Sequence, residues 1–130
     1  MSRSTLTIEE RRVDEKSTAK YTATLKDESE IAIPLSSLTT VTLTLYDKTK
    51  DSIINSRNGQ NVLNANNVVI SAIGVLVWTM QPEDNSIITT TLRNNAYEKH
   101  VALFQFTWSS GTKSGKHELE YEVRQLNKVT

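Results

Sequence analysis

The chain has 130 residues, enough to bury one sizeable core, and its 15 basic and 15 acidic residues cancel. That balance argues against a general nucleic-acid or acidic-membrane binder, and the absence of cysteine excludes disulfides and thiolate metal sites. Threonine- and valine-rich segments, with few glycines and prolines, favour a compact all-β domain over disorder.

Residues 1–12 read as an N-terminal arm or edge strand, followed by a single β-sandwich domain over residues 13–130. Leu6 and Ile8 alternate with Thr5 and Thr7 until Glu9-Glu-Arg-Arg12 breaks the pattern. The arm is either a solvated edge strand or a segment that docks on a neighbouring subunit, with Arg11 and Arg12 as contact candidates. It carries no apolar run of the signal-peptide kind.

Tyr21-Thr-Ala-Thr-Leu25 alternates as a strand, with Tyr21, Ala23 and Leu25 inward. A charged turn follows, and Pro34 makes Ile31-Ala-Ile-Pro-Leu35 an edge or loop segment. Ser36 or Ser37 is placed to cap a single helical turn. Val41-Thr-Leu-Thr-Leu-Tyr46 is the cleanest strand, and Asp47 to Asp51 reads as a turn. Ile53 to Leu63 is expected to form a small hairpin about Asn58-Gly59, since both central residues of a type I′ turn need positive φ. A two-residue loop would pair Arg57 with Gln60 and Ile54 with Leu63. The ribbon is then an ordinary surface hairpin or a contact finger, with Arg57 and Asn58 at its tip.

Val68 to Ser71 and Val75 to Gln81 read as strands meeting near Gly74, the second carrying Leu76, Trp78 and Met80 on one face. This apolar stretch is too short to span a bilayer. Ile87 to Leu92 is β-prone and Arg93-Asn-Asn95 is a turn. The chain closes on a long hairpin. His100 to Trp108 aligns Ala102, Phe104, Phe106 and Trp108 on one face. Lys116 to Arg124 sets His117, Leu119, Tyr121 and Val123 against Glu118, Glu120, Glu122 and Arg124. Between them, Ser109 to Gly115 is a polar loop in which Lys113 and Lys116 are contact candidates. Seven to nine short strands with regular turn signals predict a β-sandwich or barrel.

No pattern of reactive groups stands out. His100 and His117 fall in different parts of the hairpin, are not expected to converge, and read as strand-end polar residues. Glu118, Glu120 and Glu122 share one face of one strand, whereas glycosidase chemistry needs two carboxylates facing each other. Asp47, Asp51, Glu83 and Asp84 read as turn residues. The chain has no nucleophile-elbow or phosphate-loop motif. No catalytic residue, metal ligand or cofactor site is therefore assigned. Trp78 and Trp108 belong to apolar rows and read as core; exposed, they would suit a carbohydrate-binding module.

Tyr21-Thr-Ala-Thr-Leu-Lys-Asp-Glu28, Ile33-Pro-Leu-Ser-Ser-Leu-Thr-Thr-Val-Thr-Leu-Thr-Leu-Tyr-Asp47 and Gly74-Val-Leu-Val-Trp78 resemble small structural proteins of tailed bacteriophages. They look most like the immunoglobulin-like N-terminal domain of the baseplate upper protein family. Ile53 to Leu63 and Phe104-Gln-Phe-Thr-Trp…Gly115-Lys-His-Glu-Leu-Glu-Tyr121 are similar to short virion proteins of this size. The sequence ends just after the β-domain, without the family's coiled-coil or host-binding extension. The resemblance implies an immunoglobulin-like sandwich of about seven to nine strands and a non-enzymatic virion part assembled in the host cytoplasm. It implies self-association into a homo-oligomer and attachment to portal, adaptor, tail or capsid subunits, with no nucleic acid, membrane or cofactor. A neck or tail component is expected; capsid decoration and a carbohydrate-binding module are the alternatives.

Overall fold

Eight strands lie in residues 12–89 and 96–126, which the computed structural model describes. They are β1 (Arg12–Asp14), β2 (Ala19–Thr24), β3 (Leu38–Asp47), β4 (Gln60–Asn61), β5 (Val68–Ile70), β6 (Val75–Met80), β7 (Tyr97–Trp108) and β8 (Lys113–Arg124). They form a five-stranded sheet, β1-β8-β7-β3-β4, and a three-stranded sheet, β2-β6-β5. β1 runs parallel to β8, and the other pairings are antiparallel. The small sheet has the B-E-D order of an immunoglobulin sandwich; β8-β7-β3 is its G-F-C sheet, and β4 lies where variable-type domains add a strand. The expected all-β, immunoglobulin-like sandwich is what this chain forms. No helix among the described residues is long and apolar enough to cross a membrane.

The period-2 rows explain the packing. Tyr21 and Ala23 of β2, Val41, Leu43 and Leu45 of β3, Leu76, Trp78 and Met80 of β6, and Phe104 of β7 all turn inward and are buried. Trp78 of the small sheet meets Phe104 and Tyr121 of the large sheet edge-on, at 5.8 and 6.5 Å between ring centroids. Each such large side chain contributes roughly 1.5–3 kcal/mol by leaving water.

Three local expectations need correction. The hairpin at residues 53–63 does not form. That segment lies along the edge of β3 instead: Ile53 bridges Tyr46, and Gln60 and Asn61 pair with Leu43 and Thr42. The Ile54 amide donates to the Leu45 carbonyl at 2.9 Å, and the Val62 amide to Val41 at 2.9 Å. Gly59 has φ +61°, but its left-handed companions are Asn55 and Ser56, not Asn58. The physical reason is burial: Ile54 and Val62 reach the core along β3, where a free ribbon would leave them in water.

The second correction is at Ile87 and Ile88, which are not in a strand. The amides of Ile88 and Thr89 bond a carboxylate, described below, rather than a neighbouring strand. The third is the long hairpin, whose strands begin earlier than expected. β7 and β8 pair from Tyr97↔Arg124 to Trp108↔Lys113, leaving residues 109–112 as the loop. Gly115 thus lies inside β8 under the Phe106 ring, where a Cβ atom would come within 2.8 Å of the ring. The single helical turn is present as Leu35–Ser37, with both serines inside it. The arm falls on residues 1–11, outside the described residues, apart from Arg12 in β1. The expected turn at 93–95 is also outside them.

Candidate functional site

The inward rows of β3 and β7 do not stop where charge begins. Asp47 continues the row of Val41, Leu43 and Leu45; His100 and Glu98 continue that of Ala102 and Phe104. The register pairs Asp47 with His100 directly. All three polar residues are buried. Asp47 is therefore not a solvated turn residue, and His100 is not a strand-end residue. The alternation carries both inside.

Glu98 is bonded from two directions. Its Oε1 accepts the Ile88 amide at 2.8 Å and lies 2.7 Å from His100 Nε2; its Oε2 accepts the Thr89 amide at 2.7 Å. Burial pushes this carboxyl upward, but the bonds from His100, Ile88 and Thr89 outweigh it and hold the pKa at about 2. The group is a carboxylate at neutral pH, so it accepts, and His100 Nε2 carries the proton between them. Asp47 Oδ2 accepts the Lys50 amide at 2.8 Å. Asp47 Oδ1 and His100 Nδ1 are buried without a hydrogen-bond partner. The Tyr121 ring stands edge-on to His100, 5.6 Å away, and burial raises its phenol well above the usual range.

A second polar cluster adjoins the same end of the sandwich. Arg57 is 2% exposed, and all five of its N–H donors are used. Its Nε and Nη2 bond Asp84 Oδ1 and Oδ2 at 2.5 and 3.1 Å. Its Nη1 reaches Gln60 Oε1 at 2.8 Å and the Asn66 carbonyl at 3.0 Å, and Nη2 also reaches Asn67 Oδ1 at 2.8 Å. Asp84 is itself buried in the 3-10 turn Pro82–Asn85, where it accepts the Gln81 amide at 2.7 Å and Asn55 Nδ2 at 2.8 Å. One ion pair thereby fastens the β3 edge, the turn before β5 and the turn after β6. Arg57 is not the tip of a contact finger; it is an internal brace.

The other contact candidates among the described residues are on the surface and do not converge into one cluster. Arg12 Nε pairs with Glu122 at 3.0 Å and covers the Tyr97 ring. Asn58 is exposed beside Gly59. Lys113 pairs with Glu28 at 2.7 Å across to the turn after β2. Lys116 lines an open groove of about 240 Å³ with Lys26, Asp27, Glu28, Glu30 and His117, floored by Phe106. His117 and Tyr21 are hydrogen-bond partners stacked at 5.7 Å. Arg11 lies outside the described residues. Trp78 and Trp108 are 0% and 8% exposed, so neither offers a stacking face to a sugar.

Compared with protein-family models, curated proteins and solved structures, the chain matches none. Its sites must therefore be judged by their own chemistry. Asp84 and Glu98 each have both carboxylate oxygens hydrogen-bonded within the chain, which ties together the loops around them. Sequence reading did not single out Glu98, although the parity it shares with His100 and Phe104 was a usable signal. For Asp84 the signal was Gln81-Pro-Glu-Asp84, a turn whose N-cap and N3 residues bond each other's amides.

Proposed function

We propose that this chain is a non-enzymatic structural protein of a tailed-bacteriophage virion, a multi-copy component of the head–tail neck or tail that acts by protein–protein contact. The immunoglobulin-like sandwich agrees with what the sequence resemblance implies. The observation that carries the reading is the outward face of the large sheet. Thr42, Thr44 and Tyr46 of β3 and Leu103, Gln105 and Thr107 of β7 lie there half-buried, a broad surface of threonines and part-exposed apolar groups. Beside them, Glu120 is held by Lys48 at 2.5 Å and Lys99 at 4.0 Å, and Glu122 by Arg12. Exposed pairs of this kind add little stability but fix a charge pattern that a partner can match. The partners on this reading are portal, adaptor, tail or capsid subunits and further copies of the chain.

The burial of both tryptophans removes the basis of the carbohydrate-binding alternative. Capsid decoration is the remaining one. Copy number in purified particles, by quantitative mass spectrometry against the portal protein, tests the proposal. A number equal to the portal ring or a small multiple of it supports a neck or tail position. A number tracking the major capsid protein replaces it with decoration, and absence from particles overturns the virion reading.

A further inference from the structure

We propose, on the basis of the contact-surface reading above, that the outward face of the large sheet pairs with the same face of a second copy of this chain, about a two-fold axis that runs parallel to the strands over β7. The register lays this face out in rungs. From β3 across β7 to β8 they are Thr42–Gln105–Lys116, Thr44–Leu103–Glu118 and Tyr46–Val101–Glu120. Lys48, whose amide bonds the Lys99 carbonyl at 3.0 Å, begins the next rung, which ends in Glu122. The face is therefore three columns. β3 carries hydroxyls and a lysine, β8 carries three carboxylates and a lysine, and Val101, Leu103 and Gln105 of β7 lie between them. Val101 points outward yet is 2% exposed, and Leu103 is half-buried, so the middle column is partly dry before any partner arrives.

The columns choose the symmetry. Two sheets meeting face to face about a two-fold axis have two simple arrangements. An axis across the strands sets each column against itself, so Glu118, Glu120 and Glu122 would meet the same carboxylates of the other copy, a repulsive arrangement. An axis along the strands sets β3 against β8 and β7 against itself. Thr44 then faces Glu118, Tyr46 faces Glu120 and Lys48 faces Glu122, each a donor against a carboxylate, and each contact is made twice. Tyr46 keeps its proton at neutral pH, because burial, with Glu118 and Asp51 nearby, raises its phenol. Leu103 meets Leu103, and Gln105 meets Gln105, whose amides donate and accept at once. Within the chain Lys48 already holds Glu120 and Arg12 holds Glu122, so these exposed charges set orientation while the middle column supplies affinity. From Tyr97 to Thr107 the face runs roughly 34 Å along β7 and about 14 Å across three strands, a footprint of roughly 500 Å² on each copy. The pair thus buries about 1,000 Å², the lower bound for a specific interface and the size of a weak, reversible one.

The test is sedimentation equilibrium of the full chain over a range of concentrations. The expected result is reversible association of 14.6 kDa chains that stops at two. Leu103→Arg, which brings two cations together at the axis, should weaken the dimer at least about tenfold. Thr44→Glu should do the same by facing Glu118, and Thr44→Glu combined with Glu118→Lys should restore association. Val69→Ser, on the exposed edge of the small sheet, should change nothing. Melting temperatures of dilute samples report whether each variant folds. If Leu103→Arg does not fold, Thr44→Glu and its rescue still decide, because Thr44 is half-buried and Glu118 is exposed. A chain that stays monomeric up to roughly 1 mM would overturn the inference, while the virion reading is decided separately by copy number in particles. A dimer indifferent to folded Leu103→Arg and Thr44→Glu would overturn it in favour of another surface. A double variant that fails to regain association would overturn the axis along the strands.

Discussion

The aromatic middle of the sandwich and its polar end are equally dry, yet they cohere differently. In the middle, Trp78, Phe104, Tyr21 and Tyr121 touch through ring faces and edges 5.8–6.5 Å apart. That attraction scales with area and forgives changes that keep volume. At the polar end, Arg57–Asp84 and Glu98–His100 hold together by directed bonds. Removing one partner there strands the other without water. The middle should therefore weaken in proportion to what is cut away, and the end should fail pair by pair.

The sharpest way to separate the two is a pair of series read by denaturant unfolding. Phe104→Ala should cost about 3–5 kcal/mol, and Phe104→Leu distinctly less, a graded response. Arg57→Ala should cost about 3–5 kcal/mol by leaving Asp84 buried and unpaired, while Arg57→Met with Asp84→Leu together should recover part of that loss. Equal costs for the single and double variants would erase the distinction. Acid titration comes next. Glu98 has a folded pKa of about 2, below its unfolded value, so it adds stability above roughly pH 4.5. That contribution, of order 3 kcal/mol, should vanish as pH falls from about 4.5 towards 2, and Glu98→Gln should flatten the curve over this range.

Smaller effects test the turns and the surface. Gly74 has φ +86°, and an added Cβ would fall 2.2 Å from the Ile33 carbonyl oxygen. Gly74→Ala should lower the melting temperature by the equivalent of about 1–3 kcal/mol. Gly59→Ala should cost less, since φ is +61° but nothing lies within 4 Å. Lys48→Ala, cutting an exposed pair with Glu120, should leave thermal stability unchanged.

What could be read in advance follows the same division. Val41-Thr-Leu-Thr-Leu45 and Leu119-Glu-Tyr-Glu-Val123 announced their strands and faces because a two-residue period is written in adjacent positions. Asn58-Gly59 misled because a strong local turn signal lost to the burial of Ile54 and Arg57, whose partners lie on β3 and near Asp84. Asp47 and Glu98 were missed for a related reason. A charge at the end of an apolar row ordinarily marks the surface; here the groups that satisfy Glu98 come from Ile88 and Thr89, ten and nine residues away. Lys113 and Arg12, read from the sequence as contact candidates, are exposed and paired within the chain with Glu28 and Glu122; a partner surface is not written in one chain's pattern.

β1 lies beside the last residues of β8 and runs the same way, with Arg12, Val13 and Asp14 opposite Glu122, Val123 and Arg124. Two more backbone amides clamp the seam: Glu15 donates to the Arg124 carbonyl, and Leu126 to Glu15 Oε1. A tether pulling the two ends of the chain in opposite directions would make these strands slide past each other, loading every rung at once instead of peeling them off singly. Such a seam is mechanically stiff in the direction of pull, and Arg12→Ala together with Arg124→Ala is the change that should let it slip at lower force.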